Sequence, residues 1–290
     1  MGFMSAGLYV KLILIAVLIP AVAIIQSPLV AKADEKGDFI LAVMPEIPPA
    51  AVYKAWTPFV KRLSKETGIN IRLKVYETFS QFEDDLFNGV PDFVFLCSFY
   101  VTLAKKTQGY IPLLKNESLL EGILVVRKDS PIHSIQDLDG KEIAFPTPNN
   151  FAASLYIRKL ITEKEKINFT PKYVETHSNV YRNVILGKVD AGGGANISLN
   201  IEPEEVKSQL RIIYKTPQAS PHPLVAHPRI PKKIRQSVIN AVLHFAGDKD
   251  NHNMLNAIRL PYPVKADYQK DYEPMEKLGL EKYCVLSGVH

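Results

Sequence analysis

The residues of this 290-residue chain best suited to chemistry stand at a helix start. Lys141-Glu142-Ile143-Ala144-Phe145 reads as a short strand. Pro146-Thr147-Pro148 stops it, and Asn149 or Asn150 can cap a helix running on through Leu155 and Leu160. A helix start presents free backbone N–H groups and the positive end of the macrodipole, which suits an anionic ligand group; the same pattern also makes an ordinary capped crossover helix. His177, just before the helical stretch from Ser178 to Leu186, carries an imidazole that can donate to an oxyanion, more strongly when protonated.

Other reactive side chains make weaker patterns. Cys97 and His177 are conceivable as nucleophile and base, but Cys97 follows an apolar strand without the surroundings of an activated thiol. His222 and His227 lie in an extended segment interrupted by Pro223 and Pro228, and two imidazoles are too few for a metal site. These patterns give no reason to expect catalysis, a metal or a cofactor. Gly192-Gly193-Gly194 permits close backbone approach or positive φ, or makes a flexible loop. It does not satisfy the dinucleotide-binding glycine pattern.

The elements that must position these residues follow an export segment. Leu12 to Ile25 is almost wholly apolar, Lys11 precedes it, and Ala31-Lys32-Ala33 supplies the small-x-small pattern of a cleavage site before Asp34. Residues 1–33 are thus expected to be a signal peptide, and the mature chain to be periplasmic. Removing Lys11 and Lys32 leaves 33 basic against 30 acidic residues. That near balance does not suit a nucleic-acid surface. Cys97 and Cys284, the only thiols, either pair across the fold or are buried as small hydrophobes.

Phe39 to Val43 is a continuous apolar strand, followed by a proline-rich turn from Met44 to Pro49. A helix from Ala50 to Thr67 repeats Val52, Trp56, Phe59, Val60 and Leu63 at helical spacing and stops at Gly68. Strands at 69–76 and 92–96 and helices at 79–88 and 98–107 continue the alternation, which implies parallel strands with crossover helices. After a strand at 122–127 a second series runs through strands 142–145, 172–176 and 189–191, with helices at 150–165 and 178–187. A strand at 211–214 and an amphipathic helix at 230–246 follow.

Ile123-Leu124-Val125-Val126-Arg127-Lys128-Asp129-Ser130-Pro131-Ile132, Asp137-Leu138-Asp139-Gly140-Lys141, and His177 followed by Leu186-Gly187-Lys188-Val189-Asp190-Ala191 together resemble the phosphate/phosphite/phosphonate-binding subunits of ABC importers. The resemblance implies an α/β, two-lobe type II periplasmic binding fold, each lobe a mostly parallel sheet flanked by helices, joined by two crossing strands. It puts residues 34–122 and 221–290 in one lobe and 123–220 in the other. The function it implies is capture of a small oxyanion in the interlobe cleft by hinge closure, by a monomer that delivers it to an inner-membrane ABC permease. A sensing partner of a membrane signalling protein, or a receptor for a non-phosphorus ligand, is the alternative.

The same resemblance nominates the ligand contacts: Thr147, Asn149 and Asn150 at the helix start, His177, Ser98 and Tyr100 after the third strand, and Tyr53 in the first crossover. Ser98 also suits a plain N-cap. Where the family carries three hydroxyl side chains at the helix start, this chain has Asn150, Phe151 and Ala152. Ile197 and His222 stand where relatives that bind aminoalkylphosphonates carry carboxylates, so a zwitterionic aminophosphonate is not expected to bind well.

Overall fold

The computed structural model describes residues 38–285; the signal-peptide expectation lies outside them. In chain order the elements begin with β1 (Asp38–Val43), α1 (Pro49–Thr67), β2 (Asn70–Lys74), α2 (Phe79–Phe87), β3 (Phe93–Phe95), α3 (Ser98–Gln108) and β4 (Ile111–Asn116). They continue with β5 (Gly122–Arg127), β6 (Lys141–Phe145), α4 (Tyr156–Lys159), β7 (Phe169–Tyr173), α5 (His177–Ile185), β8 (Ala191–Ala195), α6 (Asn196–Asn200), α7 (Glu204–Lys207) and β9 (Leu210–Lys215). The last are β10 (Pro223–Ala226), α8 (Lys232–Ala246), α9 (His252–Ala257) and β11 (Pro263–Lys265), before short helical turns reaching Tyr283.

The strands form two sheets, ordered β11-β4-β10-β3-β1-β2 and β7-β6-β8-β5-β9. Both are mixed, where the sequence suggests mostly parallel ones. β2, β1 and β3 run parallel, as do β7, β6 and β8, each set joined through helices. β10, β4 and β11 in the first sheet, and β5 and β9 in the second, pair antiparallel. Parallel neighbours need a long crossover. The strands that carry the chain from one sheet to the other do not have one.

Two segments make that crossing, 117–121 and 216–222. They are tied at their middle, where Leu120 and Ala219 exchange backbone hydrogen bonds of 2.8 and 2.9 Å. One crossing is anchored in the first sheet by a buried network: Lys115 Nζ lies 3.2 Å from Asp271 Oδ1, Ser220 Oγ donates to the same oxygen at 3.2 Å, and Ser98 Oγ donates to the Ser220 carbonyl at 2.6 Å.

α1 starts with Pro49 in its first turn and ends at Gly68, whose φ of 72° only glycine adopts without cost. Its buried Val52, Trp56, Phe59, Val60 and Leu63 pack with β1, β3 and α8 in one core. Separate cores fill the two faces of the second sheet. A fourth joins Phe151, Ala152, Leu155 and Tyr156 to Phe99, Tyr100, Tyr272 and Leu280, so the helix start at 151 is welded by apolar contact to elements of the first sheet.

The triple glycine is strand, not loop: β8 is Ala191–Ala195. None of its glycines has positive φ. A Cβ on Gly193 would collide with the Ala153 carbonyl and the Phe145 ring, and one on Gly194 with Tyr181. Close approach, one of the three uses the sequence leaves open, is the use made of them.

Candidate functional site

Asn150 caps the helix start: its Oδ1 accepts from the Ala153 N–H at 3.1 Å, and its carbonyl accepts from the amides of Ser154 and Leu155 at 3.0 and 2.9 Å, which opens the helix with a wide π turn. Phe151, Ala152, Ala153 and Ser154 are all buried. Phe151 and Ala152, which stand where the resemblance puts hydroxyls, are thus buried, and the Ala152 and Ala153 carbonyls lie close against Gly122 of β5 and Gly193 of β8. The Phe151 and Ala152 amides find no acceptor among the described residues.

His177 begins α5, which Thr176 caps. Because Asn150 Oδ1 is committed to Ala153, its Nδ2 faces His177 Nε2 at 3.4 Å, so Nε2 is the unprotonated nitrogen. Nδ1, 3.0 Å from Ser198 Oγ, then carries the proton. Burial, helped by the charges of Arg259 and His222 and opposed by Glu46, lowers the imidazole to about 4. His177 is a neutral ring at neutral pH.

Those three charged or polar neighbours belong to elements of the first sheet. Glu46 lies in the turn after β1, His222 just before β10, and Arg259 just after α9. Glu46 Oε2 takes a hydrogen bond from Arg259 Nη1 at 2.6 Å, and its Oε1 lies 3.1 Å from His222 Nε2. Burial opposes ionisation of Glu46, yet His222, Arg259 and His177 together outweigh it and hold the carboxyl at about 2. His222 stacks on Phe95 at 6.0 Å between centroids, and Arg259 sits at φ 61°, a conformation that costs a non-glycine residue energy. With Val43, Trp56 and Leu96 they line a cavity of about 30 Å³.

Of the seven nominated residues, Asn150 and His177 are brought together. Thr147 is exposed in the turn before them, and Asn149 is turned toward the C-terminal segment, where it pairs with Val285. Ser98 is the first residue of α3, with Cys97 as the N-cap, and its buried hydroxyl is spent on the Ser220 carbonyl. Tyr100 is buried, donating to Glu83 Oε1 and packed edge-on against Phe79 and Phe99. Tyr53 points outward from α1, 58% exposed.

Glu46, Arg259 and Ser198 have no place in the sequence reading. Glu46 had a signal, since it follows the C-terminal end of a parallel strand, where open α/β sheets bind ligands. Arg259 had none. The thiol of Cys97 is wholly buried, which pushes its pKa far up, so it does not behave as an activated nucleophile. His222 and His227 part company: His227 accepts from the Arg229 amide and meets Tyr110 edge-on.

Residues 41–272 match the family described as ABC transporter, phosphonate, periplasmic substrate-binding protein. The chain belongs to that family. No curated protein matches the sequence. Among solved structures, a Xanthomonas citri protein bound to chloride ion superimposes with a TM-score of 0.71 at 19% identity, over 85% of this chain and 98% of that one. PhnD1 from Prochlorococcus marinus in complex with methylphosphonate gives a TM-score of 0.71 at 16% identity, over 84% and 98%. A binding protein component of an ABC phosphonate transporter from Pseudomonas aeruginosa gives 0.69 at 15%, over 85% and 87%. These likenesses are of fold: a two-sheet periplasmic binding protein.

Proposed function

We propose that this chain is the exported receptor of an ABC importer for a small phosphorus oxyanion, and that it binds without transforming its ligand. The reading is supported by the family match over residues 41–272 together with two polar clusters on elements of different sheets, close enough for His177 to feel the charges of Glu46 and Arg259. Asn150, His177 and the amides of the helix start come from one sheet's elements; Glu46, His222 and Arg259 come from the other's. An oxyanion would take hydrogen bonds from the Phe151 and Ala152 amides on one side and from the remaining N–H groups of Arg259 on the other.

Neither half-site is complete alone, so ligand binding favours the arrangement that brings the sheets together. The short paired crossings at Leu120 and Ala219 are the natural place for the motion. A membrane permease would read the closed form. The working unit is a monomer in the periplasm, freed of residues 1–33.

Titration calorimetry of the mature protein with phosphate, phosphite, methylphosphonate and 2-aminoethylphosphonate tests the reading. Tight binding of at least one of the first three is the expected result. Failure of all four, with the protein folded, would overturn it.

A further inference from the structure

We propose that Arg158 is a positioning residue for the ligand: it biases the helix start at Phe151 toward anions by holding beside it a positive charge that no carboxylate among the described residues neutralises. This rests on the oxyanion reading of that helix start and goes beyond it by naming a residue that acts on the ligand through space.

Arg158 stands two turns into a helical run that continues from Phe151 to Lys164, and helical side chains lean toward the N-terminus. Its Nε donates to Ser154 Oγ at 3.1 Å and its Nη2 to the Pro148 carbonyl at 2.7 Å, which sets the guanidinium alongside the first turn. The residue is only 9% exposed. Nη2 also donates to the Tyr283 carbonyl at 2.7 Å, and the Tyr173 and Tyr283 ring centres lie 5.9 Å away. Every one of these partners is neutral. Glu163, which accepts from the Tyr283 hydroxyl at 3.2 Å, is taken up by Lys159.

This arrangement works against the fold on two counts. A buried cation without a counter-ion is costly, and positive charge is unfavourable at a helix N-terminus, where the macrodipole is already positive. An anion on the Phe151 and Ala152 amides reverses both, because it supplies the missing counter-charge and meets the positive end of the helix. Carbonyls and ring faces solvate the guanidinium without cancelling its charge. In so buried a place the field reaches the helix start with little screening by salt.

Arg158→Lys and Arg158→Gln separate charge from packing. Both lose the forked hydrogen bonds, so both should melt below the unmodified protein. Phosphate, phosphite and methylphosphonate are then titrated calorimetrically into each. Whichever of the three the unmodified protein binds, Arg158→Lys should hold within about threefold, and Arg158→Gln should bind about fivefold to thirtyfold more weakly, the range for a partly buried charge at a helix end. Equal losses in the two variants would overturn the inference while leaving the oxyanion reading intact.

Tyr173, 41% exposed at the end of β7, gives a test that leaves Arg158 and its hydrogen bonds in place. Tyr173→Glu sets a carboxylate where the ring faces the guanidinium and should weaken oxyanion binding; Tyr173→Gln should leave it unchanged. Unchanged affinity in a folded Tyr173→Glu protein would also overturn the inference. Failure of the unmodified protein to bind any of the three oxyanions would instead remove the oxyanion reading and this inference with it.

Discussion

Asn149 and Val285, 136 residues apart in sequence, exchange two hydrogen bonds: the Val285 amide donates to Asn149 Oδ1 at 2.8 Å, and Asn149 Nδ2 donates to the Val285 carbonyl at 2.6 Å. Beside them Arg158 donates to the Tyr283 and Pro148 carbonyls, each at 2.7 Å, and its guanidinium lies 5.9 Å from the Tyr173 and Tyr283 ring centres. The C-terminal segment, whose Leu280 is buried with Tyr100 and Phe99, is thus strapped onto the helix start of the second sheet.

Asn149→Ala should therefore act on stability before affinity. Losing two hydrogen bonds is worth about 1–2 kcal/mol, read as a lower denaturant midpoint with an unchanged slope. A loss of ligand affinity at unchanged stability would mean instead that Asn149 serves the ligand.

His177 carries a pH signature. Its folded pKa of about 4 lies below its ordinary 6.5, so between those values the unfolded chain takes up a proton that the folded one refuses. Stability is whole above 6.5 and falls as pH drops through that window, by up to about 3 kcal/mol for a shift of this size. His177→Asn should flatten that part of the stability curve. Glu46 adds a further loss between pH 4.5 and about 2 that should largely remain, since His222 and Arg259 still lower its carboxyl.

The same neutral imidazole revises the expectation of a protonated donor. Ligand affinity should not fall between about pH 6 and 8 through His177. A steep decline there that disappears in His177→Asn would show that ligand binding protonates the ring.

Gly193→Ala should disturb both fold and site, since the new methyl group meets the Ala153 carbonyl and the Phe145 ring. Overpacking of this kind costs about 1–3 kcal/mol. Thermal melting measures the loss. Weaker ligand binding is expected with it, because the helix start is the part displaced.

Lys115→Met would leave Asp271 buried without its cation beside the crossing at Ser220. Breaking a buried pair by removing one partner costs about 3–5 kcal/mol. Replacing both, as in Lys115→Met with Asp271→Leu, should recover part of the melting temperature. No recovery would mean that the network matters for the crossing's geometry more than for charge compensation.

Local rules carried much of this protein. The apolar period of α1, its proline start and glycine stop, the caps at Thr78 and Asn150, and the alternation of strand and helix are short-range features that the chain encodes wherever it folds. The order of motifs from Ile123 to Ala191 was enough to reach the family, and local pattern put Asn149 or Asn150 at one helix start and His177 just before another. What adjacency in sequence cannot express was decided by packing. The glycines of β8 look like a loop until the 151 helix is laid on them, and Ser98 and Tyr100 look like ligand contacts until the core closes over them. The mixed sheets follow from a chain that crosses twice without a helix. Glu46 and Arg259 stand 213 residues apart. Only the tertiary fold makes them one site, because a carboxylate's charge state and partners are set by what surrounds it in space.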